Sequence, residues 1–226
     1  MLEKYVIIVA GGKGIRTGWD LPKQFMILNG QPVLMHTIKA FYDYDPMIRI
    51  ILVLPEDYIS YWSRQCAEYR CEIPHQVVTG GSTRFHSVRK GLEKVERGAI
   101  VGVHDGVRPL IDRQLIAKLY ETAATKQGAY PVIPLIDSIR EMQSEDISHS
   151  VDRSKYRLVQ TPQVFLSDVL IDAYKQEYRD DFTDDVSVVE ATQTIKPVMV
   201  EGSPENIKIT TQADLMIAET LMRCRT

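Results

Sequence analysis

The densest run of chemistry-bearing residues in this chain spans positions 6–25, VIIVAGGKGIRTGWDLPKQF. An apolar stretch leads into Gly11, Gly12 and Gly14, and two cations follow at Arg16 and Lys23. Closely placed glycines let successive backbone N–H groups turn toward a bound anion without interference from Cβ atoms. Arg16 and Lys23 add the full positive charge that backbone dipoles lack. A glycine loop at a strand end with two cations beside it is what a triphosphate requires. A tight turn carrying solvated Arg and Lys is the plainer alternative. Two common phosphate-binding patterns do not fit. A dinucleotide fingerprint, G-x-G-x-x-G, needs a third glycine, whereas Gly12, Lys13 and Gly14 are followed by Ile15, Arg16 and Thr17. The P-loop pattern G-x-x-x-x-G-K-[ST] is absent as well.

Such a loop must be held by a sheet. Apolar runs of strand length recur at positions 5–9, 48–54, 76–78, 99–104 and 130–134, with helical patterns at 33–42, 58–69, 84–95 and 113–125 between them. Short Val- and Ile-rich strands alternating with helices read as βαβ units around a mostly parallel, twisted sheet flanked by helices. The strands end in AGGKG, LPED, TGGS and HDGVRP. In an open α/β sheet these loops converge on the rim where ligands bind. After Pro134 the pattern changes: alternating segments at 138–142 and 156–160 surround a polar, acidic turn. This reads as a hairpin-like arm over 137–160, with a plain surface loop as the alternative. A helix over 167–178, a helix after an N-cap at Thr183, a strand near 197–201, the segment NIKIT and a closing helix over 211–222 complete one domain of residues 1–226.

Composition narrows the class. Of 226 residues, 44% are hydrophobic and 25% charged, enough for one well-buried core. A net charge of −3 argues against a general nucleic-acid binder, so any anionic ligand must be met by locally clustered cations. Cys66, Cys71 and Cys224 form no C-x-x-C pair, and the apolar part of the N-terminus is too short for a signal peptide. No apolar stretch approaches the roughly 20 residues that span a bilayer. A soluble protein of the reducing cytoplasm is expected.

Six segments in order, AGGKGIR…PKQF, GGSTRFHSV, VHDGVRP, SVDRSKYRLVQTPQVF, FTDDVSVVE and VEGSPENIKIT, resemble the 2-C-methyl-D-erythritol 4-phosphate cytidylyltransferases of the non-mevalonate isoprenoid pathway. The resemblance runs from position 6 to about position 210. It implies a Rossmann-like nucleotidyltransferase fold with a projecting β-arm, and attack by an acceptor phosphate oxygen on the α-phosphorus of CTP with loss of pyrophosphate. It further implies Mg2+ or another divalent cation, a polyol phosphate as second substrate, and a homodimer whose arms cross. No nucleic acid or membrane partner is implied. Ribitol 5-phosphate cytidylyltransferases share the glycine loop and HD-x-x-RP, and stand as the alternative acceptor class. A catalytically silent nucleotide-binding module is the alternative of a different kind.

Carried over position by position, Arg16 and Lys23 match residues that stabilise the transition state at the α-phosphate. Arg153 and Lys208 match residues that position the acceptor. Ala10, Gly11, Gly12, Lys13 and Gly14, with Gly80, Gly81, Ser82, Ser87 and Asp105, match the nucleotide site; cytosine and ribose fall against Gly81, Ser82 and Ser87. Asp105, Arg108, Ser138, Arg153, Thr183 and Lys208 match the acceptor site, with Ser138 and Arg153 acting partly on the neighbouring subunit. Asp105 is also the expected metal contact, indirect and mostly through substrate phosphates. Many relatives carry an acidic residue in place of Ser82, threonine in place of Ser138, and Met-Gly where Thr17-Gly18-Trp19 follows the arginine. Read without the resemblance, Arg153 is a solvated arm charge and Ser82 a helix cap. Thr183, followed by two aspartates, is an N-cap as readily as a substrate contact. Lys208 lies between two isoleucines, so an alternating strand would send it toward a polar rim. His86 and His104 read as packing residues, and Trp19 as a lid or a surface aromatic.

Overall fold

A computed structural model describes residues 2–12 and 21–225. The first strand, β1 (Lys4–Val9), is buried on both faces. Its pleat sends Val6 and Ile8 to one core and Tyr5 and Ile7 to the other, which is why an unbroken apolar run serves as a central strand. Next come a 3-10 turn at Lys23–Phe25 and a small hairpin of β2 (Ile27–Leu28) and β3 (Gln31–Pro32). Regular winding follows through α1 (Val33–Tyr44), β4 (Arg49–Leu54), α2 (Glu56–Glu68), β5 (Gln76–Thr79), α3 (Arg84–Leu92), β6 (Ile100–Asp105), α4 (Arg113–Lys126) and β7 (Gly128–Pro134). β1 takes β4 and β6 as parallel neighbours, and β5 extends the sheet in parallel beyond β4. The βαβ expectation therefore holds for this half of the chain.

The remainder departs from it in instructive ways. Residues 138–142 do not pair with 156–160. The exposed arm is instead β8 (Arg140–Met142) against β9 (Ser148–Ser150), whereas β10 (Arg157–Val159) returns to the main sheet and pairs antiparallel with β7. The projecting hairpin is thus shorter than the predicted 137–160, because Leu158 and Val159 lie in register opposite Ile133 and Val132 of the main sheet. β11 (Gln163–Leu166), which periodicity did not mark, inserts antiparallel between β6 and β7. α5 (Ser167–Ala173) stops short of the predicted 178: the backbone passes into i→i−3 turns, with Lys175 N–H donating to Asp172 O and Gln176 N–H to Ala173 O, and the Gln176 side-chain amide ties this end to the Val188 carbonyl. α6 (Asp185–Glu190), β12 (Val198–Glu201), parallel to β7, and α7 (Gln212–Cys224) finish the chain, while residues 206–210 form no strand.

Helices cover both faces of the sheet. Leu34 and Ile38 of α1, Trp62 of α2 and Ile116 and Leu119 of α4 fill one core; Phe85 and Val88 of α3, Leu170 of α5 and Val186 of α6 fill the other. α3 lies unusually close to the sheet. A Cβ built on Gly91 would stand 2.7 Å from Ile7 Cγ2, so only glycine permits this approach. Gly91→Val should lower stability by roughly 1–3 kcal/mol through forced displacement of the helix. Urea unfolding should show this as a lower midpoint with an unchanged slope; an unchanged midpoint would refute the packing argument.

Candidate active site

The carboxyl ends of β1, β5 and β6 open onto a cleft of about 500 Å³. Ala10, Gly11 and Gly12 form one wall with Lys23 and Gln24, Gly81 to Arg84 and Ser87 form the second, and Asp105 with Lys208 to Thr210 forms the floor. Each wall is held by backbone logic. The Ala10 N–H donates to Val53 O at 2.9 Å, continuing the sheet past the end of β1, while the buried Gln24 amide donates to Ala10 O at 2.8 Å and Gly12 O at 3.3 Å. Lys23 stands on a turn anchored by Phe25, whose ring packs against Tyr58, Tyr61 and Trp62 of α2. In the second wall, the Gly81 N–H donates to Ser87 Oγ at 3.1 Å, and Ser87 Oγ donates on to Thr83 O at 2.9 Å. A Cβ at Gly81 would lie 2.4 Å from His86 Cβ, so the loop can lie on the first turn of α3 only as glycine. Ser82 does not cap that helix, as it was predicted to do. Thr83 does, its hydroxyl accepting from the His86 N–H, which leaves the exposed Ser82 hydroxyl on the cleft.

Asp105 is the electrostatic centre. Its Oδ2 lies 3.0 Å from Lys208 Nζ and 3.3 Å from Arg108 Nε, and its Oδ1 lies 3.8 Å from Arg84 Nε. Burial alone would raise its pKa; the Arg84, Lys208 and Arg108 charges overcome this and hold the carboxyl well below the usual carboxylate range. Beneath it lies a neutral relay. His104 Nε2 is 3.1 Å from Arg108 O, a group that can only accept, so Nε2 carries the proton and Nδ1 accepts from the Thr161 hydroxyl at 3.1 Å. The Thr161 oxygen in turn accepts the Asp105 N–H at 3.0 Å. Burial pushes the imidazole pKa down to about 4, in keeping with this neutral tautomer.

The sequence and the fold both have known counterparts. The family model described as IspD, 2-C-methyl-D-erythritol 4-phosphate cytidylyltransferase, matches residues 4–224. The chain belongs to this family. A protein of that name from Azobacteroides pseudotrichonymphae is 52% identical over 98% of this chain and 100% of its own length, and one from Bacteroides thetaiotaomicron is 49% identical over the same shares. The crystal structure of the Thermus thermophilus enzyme is 31% identical, with a TM-score of 0.78 over 99% of this chain and 100% of that one. The Francisella tularensis structure is 32% identical, with a TM-score of 0.80 over 96% of this chain and 99% of that one. The fold is accordingly the Rossmann-like nucleotidyltransferase fold.

Of the positions matched to the cytidylyltransferase motifs, Ala10, Gly11, Gly12, Lys23, Gly81, Ser82, Ser87, Asp105 and Lys208 converge on the cleft. Gly80 lies just behind it, its carbonyl accepting from Lys90 Nζ at 2.9 Å. Lys13, Gly14 and Arg16, together with Thr17 and Trp19, lie outside the described residues. Lys208 reaches Asp105 without the expected strand: the Ile209 N–H is held by Val107 O at 2.9 Å and Ile209 is fully buried, so the lysine before it turns outward. Arg108 does not face the cleft as an acceptor cation. It is buried, donating to Asp105 and, at 2.7 Å, to Asn206 O. Thr183 is exposed and off the cleft, and the cap of α6 is Asp184, reciprocated by Ser187. Ser138 and Arg153 are exposed on either side of the arm hairpin and do not line this cleft. Nor does the LPED turn after β4, where Pro55 simply starts α2.

Two residues escaped the sequence reading. Arg84, inside the motif GGSTRFHSV, lines the cleft and forks onto Asp185 at 3.1 and 2.7 Å. Asp185 is fully buried and also accepts from Tyr174 OH at 2.6 Å. The repeated acidic pair in FTDD is the signal in the sequence, and its two members divide the work: Asp184 caps α6 and Asp185 turns inward. Arg84 and Lys208 thus flank one carboxylate with very different support. Arg84→Met would leave Asp185 buried without its charge partner and should cost about 3–5 kcal/mol. Lys208, half-exposed, should cost at most about 1 kcal/mol when replaced by Met. Chemical unfolding of both variants checks the ordering; equal losses would contradict it.

Proposed function

We propose that the chain transfers a cytidylyl group from CTP to 2-C-methyl-D-erythritol 4-phosphate, giving 4-diphosphocytidyl-2-C-methyl-D-erythritol and pyrophosphate. The acceptor phosphate oxygen forms a bond to the α-phosphorus as the bond from that phosphorus to the bridging oxygen of pyrophosphate breaks. The observation that carries the reading is one cleft holding the glycine loop, Lys23, Asp105 and Lys208 together, in a chain matched to the family from residue 4 to 224. Two anions that repel each other must be aligned and the charge on the transferring group spread, which is a task for fixed cations rather than for covalent chemistry. Lys23 on the nucleotide wall answers to the α-phosphate, the role the family motif also gives Arg16; Lys208, at the floor and tethered by Asp105, answers to the acceptor phosphate.

A divalent cation, Mg2+ or another, fits this donor set. Asp105 offers a hard oxygen at the floor of the cleft, and among the described residues no group of three or more potential ligands stands elsewhere to compete. Mg2+ commonly takes one or two carboxylates and completes its shell with phosphate oxygens and water, so a single aspartate suffices. Bound there, the ion would neutralise triphosphate charge. The protein's part is to keep the Asp105 carboxyl ionised, which its three cationic neighbours do.

A homodimer built through the arm completes the reading. Met142 and Ile147 of the hairpin, and Leu158 of β10 at its base, are more than half exposed. Burying such apolar surface against a second copy favours association. Ser138 and Arg153, stranded off the cleft of their own chain, would then meet the acceptor in the partner's cleft. The expected compartment is the cytoplasm; among the described residues no helix is long and apolar enough to cross a membrane.

Pyrophosphate release should occur with CTP and methylerythritol phosphate. Turnover with ribitol 5-phosphate alone would move the assignment to that acceptor class, and CTP binding without turnover of either acceptor would make the chain a nucleotide-binding module. Lys23→Met should lower kcat by roughly 100-fold or more as transition-state charge is lost. Lys208→Met should chiefly raise the acceptor KM, and a Lys208 variant impaired only toward CTP would reverse its assignment.

A further inference from the structure

The glycine loop and Lys23 belong to different segments, and a single side chain joins them. Gln24 is 2% exposed, and its amide nitrogen spends both hydrogens on the loop, donating to Ala10 O and Gly12 O. These bonds have a directional consequence. The carbonyl and N–H of one planar trans peptide point in opposite directions. With the Ala10 carbonyl turned to Gln24, the Gly11 N–H is turned the other way. The Ala10 N–H is already committed to Val53 O, so Gln24 orients the peptide that follows, just past the point where the sheet's bonds to the strand end stop. Glycines leave the loop many backbone conformations, and a loop of that composition does not choose among them by itself. Gln24 is in turn immobilised by its neighbour: Phe25 is fully buried against the aromatic rings of α2.

We propose that Gln24 is a positioning residue for the nucleotide: it orients the backbone of residues 10–12 and locks that backbone at a fixed distance from Lys23. The inference rests on the reading that CTP occupies this cleft. Gln24 touches neither the acceptor-side lysine, Lys208, nor its partner Asp105, so its influence falls on one substrate.

Gln24→Met keeps the side-chain length and removes both donors. Steady-state kinetics for each substrate, calorimetric titration with CTP, and thermal unfolding together form the test. The expected result is a rise of roughly 10-fold or more in the CTP dissociation constant and KM, with a fall in kcat, as two carbonyls are released to reorient. The acceptor KM should stay within about twofold, in protein that remains folded at the assay temperature. Gln24→Asn, which withdraws the amide by one methylene, should show the same split more weakly, and serves if the Met variant does not fold. Unchanged CTP constants in folded protein would overturn the proposal, as would a parallel rise of both KM values. Wild-type protein that fails to bind CTP would instead refute the reading beneath it.

Discussion

The ion cluster around Asp105 is the constraint from which the site follows. A carboxylate buried at the end of a central strand is stable only if its charge is met on the spot. Here three cations meet it from three separate parts of the chain: Arg84 from the start of α3, Arg108 from the loop after β6, and Lys208 from the segment before α7. None of these positions is independent of the others. Arg84 is aimed by Asp185 of α6, Arg108 is tied to the Asn206 carbonyl, and Lys208 is set by the bond from Ile209 to Val107. Meeting one charge therefore draws four regions of the fold to a single point. With Asp185 included, the three cations exceed the two carboxylates by one charge, so the point is left slightly positive, which suits phosphorylated substrates.

The sheet supplies the other half of that arrangement. β1 and β6 run side by side in register, Val9 opposite Asp105, so the glycine loop and the carboxylate emerge at the same height. Helix α3 is brought in by Gly91 against Ile7 at one end and by the Gly81 contact with His86 at the other. The two glycines do different work: the first allows a helix to approach a strand, and the second allows a loop to lie on a helix. Below the rim, His104 and Thr161 pass a chain of hydrogen bonds from the Arg108 carbonyl to the Asp105 N–H, using every donor and acceptor without a charge. A buried neutral histidine suits that position, because a further cation beside the three around Asp105 would need a counter-ion that the packed interior lacks.

Much of this was legible from residue order. The apolar runs located β1, β4, β6 and β7, since strands buried on both faces leave a continuous hydrophobic signature, and a short Val-Val run located β5, a partly exposed strand at the sheet edge. Glycine and cation spacing singled out a loop whose described residues Gly11, Gly12 and Lys23 line the cleft, and separated it from the dinucleotide pattern. Short strands without such runs were harder. β11 is four residues long and begins with the buried polar Gln163, whose amide serves Asp184 and whose carbonyl oxygen serves Val186. β10 shows the alternation expected of an arm, yet it takes its partner from β7, and local periodicity carries no information about which distant strand offers the free edge.

By itself the sequence determined the chemical inventory: a glycine loop flanked by cations, one rim carboxylate, a second glycine loop opening a helix, and a lysine between two isoleucines. These are local facts, because backbone freedom, charge and apolar period belong to residues and their immediate neighbours. Only the tertiary structure decided which cations face the cleft and which are enclosed by the fold. Arg108 and Lys208 are equally charged in the sequence, but Arg108 is enclosed by Asp105 and Asn206 while Lys208 keeps one side on the cleft. That distinction depends on burial and on partners as many as 103 positions away in the chain, and burial is a property of the packed whole.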